Sequence, residues 1–361
     1  MIESLPSSVH CCCPEGRGPL PSRPELLPAG KLPNHLLATL LDRYATPAER
    51  IVLGPGVGRD AAVIDMGDRY LVAKTDPITF ATDEIGWYLV NVNANDIATT
   101  GGTPRWLLVT ALFPVGATDL AVVERVFAQL SHACRHLGIA LCGGHTEITS
   151  GLDHVVLVGQ MLGEVAPEDL VTPEGLRPGD AIVLTKGIAI EGTAILAREM
   201  GSELEGLIPP AVLERAAGYL HDPGISVVAD ARAATGAARL HAMHDPTEGG
   251  LATALSELAT AAGVGLRIRA DRVRVFPETE LLCRHFGISP WGTIASGALL
   301  IGCAASDAPA VIQAVRAERI WADVIGEAVA GSSVVVTDGE GNEEPLPTFA
   351  RDEVARLLEE A

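Results

Sequence analysis

The chain has 361 residues, about two domains' worth, and its 48% hydrophobic and 20% charged residues exclude a globally disordered protein. A formal net charge of −20 excludes a nucleic-acid binder that works by neutralising phosphates with Lys and Arg, and fits a protein whose carboxylates hold cations. No stretch offers the roughly 18 uncharged apolar residues that a membrane span needs.

Residues 1–32 read as a tail, because Pro6, Pro14, Pro19, Pro21, Pro24 and Pro28 interrupt it and no apolar period replaces them. A helix is predicted where Leu36, Leu37, Leu40 and Leu41 recur at helical spacing. Strands follow at "RIVLG", "AAVID" and "RYLVAKTD". "GWYLVNVNANDIATTGG" reads as a helix stopped by Gly101 and Gly102, and "RWLLVTALF" as a buried strand. "LAVVERVFAQLSHACRHLG" is an amphipathic helix with Leu120, Val123, Val126, Phe127 and Leu130 on one stripe, closed by Gly138. "IALCGG" and "HVVLVGQMLGEV" read as strands on either side of a loop "GGHTEITSG". A boundary is expected in the polar, proline-bearing stretch at 164–178. It separates a domain over 33–165 from one over 173–355.

In the second half, "AIVLTKG", "GLRIRA" and "GALLIGC" are strands. "EGTAILAREM", "PAVLERAAGYL", "GGLATALSELATAAG" and "DAPAVIQAVRAE" are helices, and "FARDEVARLLEEA" is an exposed amphipathic one. Strands mixed with helices in both halves give an α/β (α+β) class with two domains.

The seven cysteines include no CxxC pair, so a disulfide framework is not expected and a reducing cytoplasm is the natural compartment. No secretory signal pattern opens the chain. The triplet Cys11–Cys13 is a thiol or metal candidate, although three adjacent cysteines cannot all face one tetrahedral ion without outside help.

Chemistry concentrates at four aspartates. "GPGVGRDAAVID" fails as a dinucleotide fingerprint, because Arg59 stands where the third glycine belongs and a strand follows. It also lacks the lysine of a P-loop. What remains is a glycine-rich turn, with Gly58, that presents Asp60 at a strand start. Asp76 ends a strand, Asp96 lies in "NANDIATTGG", and Asp245 precedes a helix. Each alone is compatible with a cap or turn; converging from different strands, they would suit a Mg2+-nucleotide. Asp245 reads as an N-cap and Pro246 as the first helical residue. Gly249 and Gly250 clear the first turn for an anion. His241 and His244 flank this motif and are expected mainly at the surface, as are His132 and His136.

Six stretches in order, "GRDAAVI", "KTDPITF", "ANDIATTGGTPRWLL", "GGHTEI", "LTKGIAIEGTAIL" and "DPTEGGLATALSELATAAGVGLRI", resemble the AIR synthase (PurM-like) superfamily, and within it the HypE hydrogenase maturation proteins. The resemblance implies a two-domain fold, an N-terminal mixed-sheet domain that pairs in a homodimer, and a C-terminal α/β domain. It implies ATP in the cleft, with Mg2+ on Asp60, Asp76 and Asp96, supported by Thr75 and Asn95. Gly143, Gly144, His145 and Thr146 match the glycine motif, and Asp245, Gly249 and Gly250 face the cleft. Lys186 and Gly192 lie in the second domain's first loop. The implied function is ATP activation of an amide or acyl oxygen on an unidentified small-molecule or protein acceptor.

The chain departs from the pattern at Arg59 and His145, where acidic residues are usual, and at Glu248, where HypE carries Arg. It ends "RLLEEA" rather than in the cysteine whose thiol accepts a carboxamide in HypE, so the standard HypE reaction is not expected on this C-terminus, which together with Arg59 favours a non-catalytic scaffold. A non-catalytic nucleotide-binding scaffold, and a kinase resembling thiamine-monophosphate kinase, are the alternatives. Selenophosphate synthetases, which use a Cys near a mobile N-terminus, suggest a role for Cys11–Cys13.

Overall fold

The computed structural model describes residues 27, 32–56, 59–78 and 83–360. The expected tail lies outside them apart from Leu27 and Leu32, as do Cys11–Cys13 and Gly58.

The chain runs α1 (Asn34–Tyr44), β1 (Ile51–Leu53), β2 (Ala62–Asp65), β3 (Tyr70–Ile78), α2 (Ile85–Thr99), β4 (Thr103–Pro114), α3 (Leu120–Leu137), β5 (Ala140–Thr149) and β6 (Val156–Val165). These strands form one sheet in the order β1-β2-β3-β6-β4-β5. Neighbours are antiparallel except β4 and β5, which are parallel because α3 carries the chain across between them.

The second half adds β7 (Asp180–Thr185), α4 (Ile190–Glu199), α5 (Gly201–Leu204), α6 (Pro210–Gly218), α7 (Val228–Ala237), β8 (Leu240–His244), α8 (Gly250–Ala262) and β9 (Gly265–Arg269). There follow α9 (Pro277–Phe286), β10 (Leu300–Ala304), α10 (Ala308–Ala317), β11 (Ala322–Val329), β12 (Val334–Thr337), β13 (Glu343–Pro345) and α11 (Glu353–Glu360). Its sheet has the order β13-β12-β9-β11-β7-β10-β8. The central strand β7 is buried along its whole length, because α8 covers one face of this sheet and α7 and α10 the other. The protein is thus an α/β chain of two sheet-bearing units, as expected.

All fifteen residues of α2 are buried. A helix without a polar face needs cover all round. The first sheet supplies it on one side and the second half on the other: Trp87 Nε1 donates to the Leu220 carbonyl at 3.3 Å, and α2 residues share one core with α4, α6 and α9.

Three local expectations change. "GGHTEIT" is not a loop but the outer length of β5, paired with β4 from Gly143 to Thr149. Its hydrophobic signal is weak because β5 is an exposed edge strand. Gly144 stands at φ +143°, and a Cβ there would come within 1.9 Å of the Val109 carbonyl oxygen. The α3 stripe is only partly covered: Val126 and Leu130 are buried, Leu120 and Phe127 exposed. Finally, α11 is docked rather than free, with Val354 buried and Leu357 and Leu358 packed on the core.

Candidate active site between the two sheets

Strand alternation puts Lys74 and Asp76 on one face of β3, the face beneath α2. From α2, Asp96 reaches the same place. Its Oδ2 lies 2.9 Å from Lys74 Nζ, which is also 3.7 Å from Asp76 Oδ2. Burial alone would lower the Lys74 pKa; the carboxylates of Asp96, Asp76 and Asp60 more than offset it and hold the ammonium charged. Burial pushes the Asp96 carboxyl up, opposed by Lys74 and reinforced by Asp60 and Asp76.

The second sheet supplies the opposite wall. β8 ends at His244, and Asp245 follows at once. His244 is buried, with Nδ1 3.4 Å from Asp60 Oδ2 and Nε2 3.1 Å from Glu257 Oε2. Burial disfavours the imidazolium, but Asp60 and Glu257 outweigh it and raise its pKa. Asp245 is 1% exposed and its Oδ2 has no hydrogen-bond partner. Burial and then the charges of Asp96 and Asp60 push its carboxyl well above the usual range. Asp60, His244 and Asp245 offer ligand atoms that all lie within 4.8 Å of one another.

These residues fit a hard divalent cation shared with phosphate. The donor set is dominated by carboxylate oxygen, and one oxygen, on Asp245, is buried without a partner. Asp60, Asp245, Asp96 and Asp76 are the residues that could hold it. His244 and Lys74 are the nearest cations to this acid group, and the sequence reading did not select them for it. The i, i+2 spacing of Lys74 and Asp76 was the available signal for Lys74. His244, expected at the surface, is drawn inside by its carboxylate partners.

Other predicted positions are distributed differently. Thr75 is exposed, on the face of β3 away from Asp76. Asn95 is fully buried and spans the two halves: its Nδ2 donates to the Ile225 carbonyl and its Oδ1 accepts from Val227 N, both at 2.8 Å. Lys186 Nζ points into the second domain, to Asp230 Oδ2 at 3.0 Å and to the carbonyls of Ser226 and Gly297. Gly192 packs against Thr293 and donates to the Ile294 carbonyl. Gly143, Gly144, His145 and Thr146 lie on the β5 edge, where His145 Nε2 is 3.1 Å from Glu147 Oε2.

The α8 start also differs from expectation. The helix begins at Gly250 with Gly249 as its cap, beyond Asp245 and Pro246. The Gly249 N–H donates to Asp352 Oδ2 at 2.9 Å, so a carboxylate of this chain takes up one free donor there. Gly250 stands at φ +64°, and a Cβ there would sit 2.6 Å from the Trp291 carbonyl oxygen. His241 pairs with Asp180 at 2.8 Å, while His132 and His136 are exposed, as expected, with their rings 5.5 and 5.7 Å from that of Trp87. Arg59 Nε reaches Glu174 Oε1 at 2.9 Å, tying the residue before Asp60 to the second half.

Comparison with known proteins places the chain in a family. Residues 58–165 match the N-terminal domain model of AIR synthase related proteins, and residues 177–339 the C-terminal domain model. The chain is 30% identical over 289 residues to the carbamoyl dehydratase HypE of Rhizobium leguminosarum bv. viciae, covering 77% of this chain and 79% of the relative. It is 29% identical over 282 residues to the HypE of Cupriavidus necator, covering 75% and 77%. A crystal structure of hydrogenase maturation protein HypE in complex with ATP superposes with a TM-score of 0.64 at 22% identity, covering 90% of this chain and 97% of that one. The chain therefore belongs to the AIR synthase-related family, among the homologues of HypE.

Proposed function

We propose that this protein is a Mg2+-dependent, ATP-using enzyme that activates an amide or acyl oxygen, in hydrogenase or metallocofactor maturation. The observation that carries the reading is the convergence, from the two halves of the chain, of buried Asp96 and Asp245 with Asp60, one Asp245 oxygen being left without a partner. Burying such carboxylates costs stability unless a cation is held there. The HypE relative that superposes on the chain was solved in complex with ATP, which supports nucleotide binding by this chain.

Asp60, Asp76, Asp96 and Asp245 would hold Mg2+, which would supply neutralisation of the phosphate charge. The chain's own groups do the rest. β3 and α2 hold Asp76 and Asp96 on regular elements, so little reorganisation accompanies the reaction. Lys74 sits between them and offers a fixed positive charge to phosphate oxygens. The acceptor oxygen would form a bond to the γ-phosphorus while the bridging oxygen leaves with ADP.

A homodimer through the first sheet is supported by its exposed edge. β5 is open along its length, and Leu141, Ile148 and nearby Trp106 on β4 are exposed apolar side chains. No described helix is long and apolar enough to cross a membrane.

The test is ADP and phosphate release by the full chain with Mg2+ or EDTA, across carboxamide, acyl and thiamine-phosphate acceptors, alongside calorimetry of ATP binding. Mg2+-dependent binding with turnover on a carboxamide is the expected result, and turnover on thiamine phosphate instead would make it a kinase. No Mg2+-dependent ATP binding would overturn the reading.

A further inference from the structure

A cavity of about 50 Å3 adjoins the aspartate cluster and is lined by Asp76, Glu191, Glu248, Thr247 and Ser296, with Val92 and Ile195 among its apolar walls. It opens where the end of β3 meets the first turn of α4, between the two halves. Asp76 belongs to both the cavity and the cluster, so whatever fills the cavity lies next to the phosphate site.

We propose that this cavity receives a cationic nitrogen of the acceptor, making the acceptor a small molecule with an ammonium or amidinium-type group beside the oxygen that ATP activates. The ligand's role as acceptor rests on the ATP-using reading above; the cation site itself does not.

Three observations carry it. Glu191 is 6% exposed and its Oε2 has no hydrogen-bond partner, although it lines an open cavity. A buried carboxyl oxygen left so is costly unless a ligand completes it. Second, the lining holds three carboxyl groups and no Lys, Arg or His among the described residues; Lys74, 3.7 Å from Asp76, offsets that one alone, so Glu248 and Glu191, which ionises as a cation enters, favour positive charge. Third, these acids do not form a group tight enough to grip one ion. Among the described residues the cluster that does is Asp60, His244 and Asp245. Carboxyls spread around a small cavity suit an extended organic cation, which hydrogen-bonds several of them at once.

Size agrees: the cavity exceeds the roughly 10–15 Å3 that one water needs by a few-fold, enough for one planar headgroup. Burial pushes the Glu191 carboxyl up to about 8, with Ser296 opposing and Glu248 adding to the rise. Glu191 is therefore largely protonated at neutral pH, and a cation that binds would release that proton.

The experiment uses methylguanidinium and its uncharged isostere methylurea as probes, titrated by calorimetry into the full chain at pH 7. Methylguanidinium is expected to bind at least tenfold more tightly, with proton release seen as a dependence of the heat on buffer ionisation. Glu191→Gln is expected to abolish the preference, whereas Glu49→Gln, an exposed site, leaves it intact and so controls for general attraction to an acidic protein. Equal affinity for the two probes in the unaltered chain, or an unchanged preference in Glu191→Gln, overturns the proposal. A Mg2+-ATP titration on the same preparations separates the two readings: cation preference without ATP binding sinks the ATP-using function and leaves the cation site standing, and the reverse sinks the cation site alone.

Discussion

Glu191 gives a stability prediction whose sign is fixed. Its carboxyl stands at about 8 in the folded chain against the ordinary 4.5. The native state therefore keeps a proton that the unfolded state releases between those values, so stability falls as pH rises through that window and stays low above it. At about 1.4 kcal/mol per pH unit, the penalty is about 1 kcal/mol at pH 5 and about 4 kcal/mol at pH 8. Glu191→Gln keeps the shape and removes the titration. Urea unfolding of both proteins at pH 5, 6, 7 and 8 isolates this group together with its coupling to Glu248 and Asp352, because carboxyls that do not interact with it contribute equally to both. The variant's advantage should grow by about 3 kcal/mol from pH 5 to 8. A difference that stays constant with pH would show that Glu191 is already ionised and partnered, and would refute the argument.

Four other changes test the rest of the structure. Asn95→Ala removes a side chain that satisfies the Ile225 carbonyl and the Val227 N–H in the buried seam, and should cost about 3 kcal/mol of stability in urea. Gly250→Ala forces a Cβ against the Trp291 carbonyl at positive φ, and should lower stability by about 2 kcal/mol or more. Asp245→Asn should weaken Mg2+-ATP binding at least tenfold by calorimetry without lowering the unfolding midpoint, since the carboxyl it replaces is buried unpaired. Ile148→Glu on the β5 edge should convert a dimer to a monomer in sedimentation, and a dimer that persists would place the interface elsewhere.

The α/β order, most helices and strands, and the four aspartates that the fold gathers were readable from the sequence, because periodicity, helix-stop glycines and motif order are local signals. What it concealed was pairing. β5 looked like a loop because an exposed edge strand carries little apolar alternation, and its place depends on β4. Lys74 escaped because an apolar strand hides a single lysine, and its meaning appears only with Asp96 beside it. Asp352 escaped for the same reason: it lies 103 residues from the Gly249 amide that it caps. Lys186 drew attention by its motif, yet nearby Asp230 and two carbonyls take its charge.

The role of α2 explains why such pairings decide the site. One helix supplies Asp96 to the cluster and, one residue earlier, Asn95 to the backbone of the second half. Consecutive helical residues point about 100° apart, so the two side chains leave the helix toward different neighbours. Asn95 therefore fixes the angle at which the second half meets α2, and that angle sets how near Asp245 and His244 come to Asp96 and Asp60. Trp87, two turns earlier, anchors the same seam through the Leu220 carbonyl. The residue before Asp60, Arg59, is held from the far side by Glu174. Arg59, where the family usually carries an acidic residue, thus serves the meeting of the two halves, and the site's carboxylates keep their spacing only while that meeting holds.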